Sequence, residues 1–184
     1  MPFYKKTSRK IKYFFLALFI ANTSLAASND HADYCLSIGG HVVHSSAYLN
    51  TNAGDTQGIS HDFCLIQDAS KASMAMIGLQ TLASDKPSIA ATYLLKGIKI
   101  DKAYSKEYSN PAIGICKNLG GTSISFYTSG GMSNEFGLDH VCIFGDGSMV
   151  STWAIWYISS KPSYLNLRKV IHSQPLPMEL PLLN

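Results

Sequence analysis

The order of hydrophobic and polar positions divides the chain into a short leader and a longer globular part. The first thirteen residues carry five basic side chains and no acidic one, an apolar run spans 14–21, and small residues dominate 23–27. Basic, apolar and small-residue segments in this order predict a cleavable signal peptide over residues 1–26. The apolar run is shorter than the ~20 residues that cross a bilayer, so we expect no transmembrane span in the mature chain.

Beyond the leader, the pattern of positions occurs twice, at an offset of about eighty residues. The stretch YCLSIGGHV from Tyr34 matches ICKNLGGTS from Ile115, and FCLIQDASKAS from Phe63 matches VCIFGDGSMVS from Val141. The second match runs without a gap, so that position 73 aligns with position 151. These coincidences predict an internal duplication, with a first module over 27–105 and a second over 106–184 that share one core. The second module ends in a Pro-rich C-terminal strap.

Each module predicts the same elements. A short helix carries the first cysteine and ends at a Gly pair, Gly39-Gly40 or Gly120-Gly121, because glycine adopts the left-handed backbone that follows a helix. Strands are expected at 41–44 and 122–126, then a polar loop and a strand through the second cysteine. Residues 72–82 predict a helix, 150–158 fit a helix or a strand, and 85–97 predict a helix that stops at Gly97. The predicted class is α+β, with two pseudo-symmetric repeats of small antiparallel strands and helices, each stapled by one disulfide.

Removal of the predicted leader reverses the sign of the net charge. The whole chain has a net charge of +3, but five of its fifteen basic residues lie in the leader and all twelve acidic residues lie beyond it. Ten basic against twelve acidic residues leave a mature charge of −2, which does not favour a nucleic-acid partner. The remaining 158 or so of the 184 residues make one ordinary domain or two small ones.

Four cysteines remain after the leader, two in each module at equivalent places. An even number of cysteines in an exported protein predicts disulfides. Three pairings of these cysteines are possible, and the duplication favours the two that respect its symmetry. The simplest of them joins Cys35 to Cys64 and Cys116 to Cys142. Zinc is the alternative, but zinc ligands usually come as close pairs, and the nearest cysteines here are 26 residues apart. We therefore expect no metal and no other cofactor.

No motif in the chain assigns a catalytic residue. The six histidines lack the spacing of a metalloprotease, and no G-x-S-x-G segment marks a nucleophile. Two polar loops at equivalent places, one from Leu49 and one from Ser129, are suited to binding or to mere connection. The candidate binding residues are therefore Asn52, Asp55, Ser129, Gly130, Gly131 and Asn134.

The aromatic side chains near the end of the second module have two interpretations. They could line a ligand surface, but such a cluster is more often part of a core, and we expect Trp153 to be buried. The other members are Trp156, Tyr157 and Tyr164.

The second module resembles a known family, the bacterial domain of unknown function 333, whose members are often labelled haemolysins. The resemblance rests on NPAIGICKNLGG from Asn110 and on VCIFGDGSMVSTWAIWY from Val141. These stretches hold the family's Asn-Pro-Ala start, a cysteine, a Gly pair, a Cys-x-Phe-x-Asp-Gly-Ser segment and a Trp-Ala pair. The match covers about fifty residues. The first module is a weaker relative, with Ala69 and Ala75 in place of the family's Gly and Trp.

The resemblance also bears on the disulfides. Members of the family usually carry two further cysteines, near the positions of Val150 and Ser160, and both are absent from this chain. The loss of one bond and the retention of the other would leave this pattern, which supports the pairing within each module. The family implies an exported protein whose activity is not established.

These observations favour a secreted, non-enzymatic binding protein that presents loops on a disulfide-stapled, duplicated scaffold. Its partner would be an extracellular or periplasmic protein or glycan, of the kind met by a host- or envelope-directed virulence factor. Two alternatives remain open: a small secreted hydrolase with a site between the modules, and a membrane-active protein like a haemolysin. In each case the mature protein would be secreted or periplasmic.

Overall fold

Strands from both predicted modules close into one antiparallel barrel. The computed structural model describes residues 26–68, 73–98, 110–128, 138–160 and 166–180. The strands of these residues are β1 (His41–Thr51), β2 (Gly54–Asp68), β3 (Ser73–Gly78), β4 (Thr122–Thr128), β5 (Leu138–Ile143) and β6 (Met149–Ser151). They follow each other around the barrel in the order β1-β2-β3-β6-β5-β4.

Five short α-helices accompany the barrel in the described residues. They are α1 (Ala26–Ser37), α2 (Leu79–Ala83), α3 (Ile89–Lys96), α4 (Pro111–Asn118) and α5 (Thr152–Ser160), followed by a 3₁₀ turn at Leu167–Lys169. Most of the predicted leader and the predicted module boundary at 105/106 lie outside the described residues.

The predicted α+β class, with small strands in each repeat, is therefore wrong. β1 pairs with β4 through Ser45–Ala47, and β3 pairs with β6 at Ile77 and Val150, so each half supplies three strands of a single sheet. A three-stranded sheet alone would leave two unpaired edges, whereas closure joins them. These pairings connect residues that are far apart in the chain, and the local hydrophobic pattern does not specify them.

The helix predicted over 72–82 is a second correction. Residues Ser73–Gly78 form β3, which pairs with β2 along its whole length, and only then does α2 begin. Alanine and methionine favour helices in isolation, but pairing with β2 buries Ala75, Met76 and Ile77 inside the protein. Burial in the barrel therefore outweighs the local helical preference.

The β3 strand also corrects the alignment of the two halves. Cys64 pairs with Ile77, thirteen residues later, and Cys142 pairs with Val150, eight residues later. Ile77 and Val150 are therefore equivalent, and the connection in the first half is five residues longer. The ungapped alignment of position 73 with position 151 does not hold.

The predicted helix and Gly pair occur in both halves with matching geometry. Gly39 and Gly120 both have φ of 79°, and the next residues, Gly40 and Gly121, each donate a backbone hydrogen bond of 2.9 Å to the carbonyl of the helix cysteine. Disulfides join Cys35 to Cys64 and Cys116 to Cys142, as the sequence predicts. Each bond ties a helix to a strand of the barrel.

The buried residues form two layers. One fills the barrel and consists of Ala47, Phe63, Leu65, Met76, Phe126, Val141 and Met149. The other lies between the outer face of the barrel and the helices, and it contains both disulfides together with Leu82, Leu94 and Ile155. The helices thus pack against one side of the barrel.

The turn at Asp146 joins the two halves. Its carboxylate accepts hydrogen bonds from the backbone N–H of Ile89, at 2.8 Å, and of Ser148, at 3.0 Å. The Ser148 hydroxyl accepts a further bond from the N–H of Ala90. Since the N–H groups of Ile89 and Ala90 open α3, the turn caps a helix of the first half. Asp146 therefore has a structural role.

The C-terminal segment packs along α3. The N–H of Leu176 donates to Thr92 Oγ1 at 2.8 Å, and Lys96 Nζ donates to the carbonyls of Leu176 and Met178 at 3.3 and 3.0 Å. α3 itself ends as predicted, at Gly97 with φ of 75°.

Candidate functional site

The β1–β2 hairpin extends past the barrel, and residues at its tip and along β2 up to Asp62 are exposed. β1 pairs with β4 only up to Ala47, and β2 pairs with β3 only from Phe63 onward. Between these points, residues 48–62 pair with no other strand of the described structure, and we call this segment the arm. The register of β1 and β2 shifts between Ser46 and Tyr48, so a bulge lies where the arm leaves the barrel.

The two faces of the arm differ in character. Along the outer face, the ring of His44 bonds to the Asp62 carboxylate at 2.7 Å, and the hydroxyls of Ser46 and Ser60 lie 2.7 Å apart. The Gln57 side-chain amide donates to Ser46 Oγ at 2.9 Å. These cross-strand hydrogen bonds brace the arm at its base, so its direction relative to the barrel is held by side chains as well as by the ladder.

The inner face of the arm is apolar and exposed. Side chains alternate along a strand, so Leu49 lies on the same face as Ala47 and continues the barrel interior outward. Leu49 is 47% exposed and Ile59 is 48% exposed. Next to them, the His61 ring lies 6.4 Å from the rings of both Phe63 and Phe126. The arm therefore presents an exposed apolar surface, formed by Leu49 and Ile59, at the end of the barrel.

The predicted binding residues fall on this arm or outside the described structure. The segment from Leu49, expected as a polar loop, is a hairpin instead, with Asn52 exposed in its two-residue turn and Asp55 near the start of β2. Thr51 closes the turn by donating to the carbonyl of Gly54 at 2.7 Å. The other predicted residues lie in 129–137, which the structure does not describe: Ser129, Gly130, Gly131 and Asn134.

A partly buried carboxyl group that faces the barrel interior is the second notable feature. Asp139 on β5 pairs with Phe126, and alternation places its side chain on the same inward face as Val141. Burial raises the pKa of Asp139 to about 6, while hydrogen bonds from the Ser151 side chain and the His140 backbone lower it in part. A carboxyl that titrates in this range is able to exchange protons near neutral pH.

Ser125 Oγ lies 3.2 Å from His140 Nδ1, a separation also found between a catalytic serine and its histidine base. The two residues are cross-strand partners on β4 and β5, as His44 and Asp62 are on β1 and β2. In the described residues, no carboxylate bonds to the His140 ring. The pair therefore matches a cross-strand polar contact better than a catalytic dyad.

The predicted burial of Trp153 is wrong. Trp153 is only partly buried and stacks on Tyr157, with ring centroids 5.4 Å apart and planes inclined by 25°. The buried face of α5 consists of Thr152, Ala154 and Ile155 instead. Trp156 and Tyr157 do pack against the core, and Tyr164 lies outside the described residues.

A cavity of about 350 Å³ lies between α3 and the C-terminal segment. Its charged lining residues are Lys96 and Glu179. Because the Lys96 ammonium donates to two carbonyls of the C-terminal segment, its charge is used to hold that segment in place. No group of three or more metal-ligating side chains occurs within the residues described here.

Sequence reasoning missed Leu49, Ile59 and Asp139. The signal for Asp139 was present, because the alternation in LDHVCI puts it on the face of Val141 and Ile143. The exposure of Leu49 and Ile59 had no signal, since apolar residues in a strand are usually covered.

In the parts of the chain that the structure describes, no helix has the length and apolar content needed to cross a membrane. Comparison of the chain with protein-family models, curated proteins and solved structures gives no match. The resemblance of the second half to the domain of unknown function 333 family therefore stays a prediction. The two disulfides indicate a protein of an oxidising compartment outside the cytoplasm.

Proposed function

We propose that this chain is a secreted, non-enzymatic binding protein and that the arm is its contact surface. The observation that carries the proposal is the pair of half-exposed apolar side chains, Leu49 and Ile59, on a hairpin that pairs with no other strand described in the structure. Exposed apolar groups next to a polar rim are typical of protein interaction sites. The partner is accordingly an extracellular or periplasmic protein rather than a small molecule.

The scaffold beneath the arm is suited to presenting it. The Cys35–Cys64 disulfide ties β2 to α1 at the residue after Phe63, which is the first residue of β2 that pairs with β3. Removal of a bond whose cysteines are 29 residues apart would cost about 3.5 kcal/mol by the chain-entropy model. A stapled base reduces the conformational entropy that the arm would lose on binding, and this strengthens binding without adding contacts.

The leader supports the location of this activity. Its basic, apolar and small-residue segments are those of a signal peptide, and the two disulfides require an oxidising environment. The family resemblance of the second half supports export in the same way, although it adds nothing about the partner.

Site-specific photo-crosslinking tests the proposal. A photoreactive amino acid replaces Ile59 on the arm or, as the control, Leu36 on α1, which is 56% exposed. Irradiation of intact cells that export the protein should produce a discrete protein adduct from position 59 and none from position 36. The double variant Leu49→Ser with Ile59→Ser, crosslinked from position 57, should lose the adduct while its melting temperature stays close to that of the wild type.

Two results would count against the proposal. The absence of any adduct from positions 49, 57 and 59 would show that the arm meets no protein partner. The same adducts from position 36 as from position 59 would show that contact is non-specific and that the arm has no special role.

A further inference from the structure

Among the strands that the structure describes, none pairs with the second edge of β2 along the arm. β2 begins at Gly54, but its pairing with β3 begins only at Phe63, opposite Gly78. From Gly54 to Asp62, β1 is its pairing partner in the described part of the chain. Its second edge therefore presents backbone N–H and C=O groups that face no other strand within the described residues. Such an edge is a template for the addition of another strand.

Apart from a bulge, the edge lacks the features that usually prevent pairing with another chain. Natural edge strands are protected by lysine, by proline or by a covering segment. Residues 41–68 contain no lysine, arginine or proline. The residues from Thr56 to Asp62 are all exposed, including the apolar Ile59. The register shift lies within β2, where Gly58 and Ile59 face the single residue Ala47 of β1, so this bulge divides the free edge into 54–57 and 60–62.

Charge narrows the identity of the added strand. The arm contains two aspartates, Asp55 and Asp62, and no lysine or arginine, and its Asp62 carboxylate bonds to the His44 ring. Between Lys12 and Lys71 the chain has no basic residue other than histidine. A partner segment with basic side chains would therefore gain attraction along this hairpin, and an acidic segment would be repelled.

The two faces of the arm determine which side chains would suit alternate positions of the added strand. An added strand shares the faces of β2. On either side of the bulge, its alternate side chains would lie beside the apolar Leu49 and Ile59 or beside the polar outer face that includes Gln57 and Asp62. Apolar residues would suit the first face and lysine or arginine the second.

We propose that the arm binds an extended polypeptide segment by strand addition along the free edge of β2, and that this segment alternates apolar with basic residues. The inference rests on the proposed function, because it names the chemistry of the partner that the arm contacts.

Synthetic peptides of about ten residues provide the test. The probe alternates valine and lysine, and its binding to the whole protein is measured by fluorescence anisotropy and by hydrogen exchange of the arm amides. A first control peptide has glutamate for lysine. The second control is the valine–lysine peptide with methyl groups on alternate backbone nitrogens. It is made in two forms, one with the odd and one with the even nitrogens methylated, so that each form cannot donate hydrogen bonds from one edge of the peptide.

The valine–lysine peptide should bind, protect the amides of 54–62 from exchange, and bind more weakly as salt rises. The glutamate peptide and at least one methylated form should bind about tenfold more weakly or not at all. Ile59→Lys should reduce binding about tenfold by adding a like charge to the edge. The matched control, Val42→Lys, changes an exposed β1 residue outside the arm and should leave binding unaltered.

The possible failures are distinguishable. Equal binding of the glutamate peptide would overturn the basic specificity, and equal binding of both methylated forms would overturn strand addition. If position 59 crosslinks to a partner in cells but no alternating peptide binds, the arm is a contact surface and the strand-addition inference is wrong. A concentration-dependent dimer abolished by Ile59→Lys would assign the edge to a second copy of the chain instead.

Discussion

Replacing Asp139 with asparagine should stabilise the protein at neutral pH. The side chain faces the barrel interior beside Phe126, and no charged partner bonds to it in the residues that the structure describes. Asparagine keeps the shape and the hydrogen-bonding oxygen for the His140 N–H, and its amide can donate to the Ser151 hydroxyl. The substitution therefore removes a buried negative charge with little change in packing.

The magnitude follows from the pKa of the carboxyl. Its pKa is about 6 in the folded protein against 3.8 for a solvated aspartate, because burial disfavours the ionised form. At about 1.4 kcal/mol for each tenfold change in proton affinity, ionised Asp139 costs the folded state about 3 kcal/mol. The folded state binds the proton more tightly than the unfolded chain, so the stability contributed by this group is complete below about pH 4 and is lost as pH rises to about 6.

Urea unfolding with intact disulfides, at about pH 4 and about pH 7.5, measures the effect. Asp139→Asn should match the wild type at the lower pH and exceed it by up to about 3 kcal/mol at the higher. The control is Asp85→Asn, since the Asp85 side chain is fully exposed and should change stability little at either pH. If Asp139→Asn is no more stable than the wild type at the higher pH, the carboxyl is not buried as described and the reasoning is wrong.

Two further substitutions test the packing. A Cβ at Gly40 would lie 2.5 Å from Cys64 Sγ, and one at Gly121 would approach the Cys116–Cys142 disulfide as closely. Each change to alanine should therefore lower the free energy of unfolding in urea by about 1–3 kcal/mol. The control, Gly145→Ala, has open space around the added Cβ and should be near neutral. Because Trp153 is partly exposed and stacked on Tyr157, Trp153→Ala should cost about 1 kcal/mol in thermal unfolding, and a loss above about 3 kcal/mol would show that it is a core residue after all.

Several local features of this protein were readable from the sequence. The helices that carry Cys35 and Cys116, the Gly pairs that end them and the stop of α3 at Gly97 all occur where the pattern places them. Each depends on a few neighbouring residues, since glycine adopts positive φ at little cost and a helix end has specific hydrogen-bonding needs. The disulfide pairing was readable for a different reason, because equivalent cysteines in two similar halves restrict the possible pairs.

The barrel was decided by tertiary structure. Ala75 and Met76 favour a helix locally, and they form a strand because β2 pairs along β3, β6 pairs with it at Ile77, and these contacts bury them. The same closure turns Asp139 toward the apolar interior, where the loss of solvation raises its pKa.

The candidate site also depends on where the barrel pairing stops. The residues around Asn52 have the composition of a loop, yet they form a hairpin because β1 and β2 continue to pair beyond their last contacts with β4 and β3. Local sequence specifies a turn at Asn52 and alternation on either side of it. Only the arrangement of the other strands determines that Leu49 and Ile59 are left uncovered, because exposure is a property of what packs against a residue and not of the residue itself.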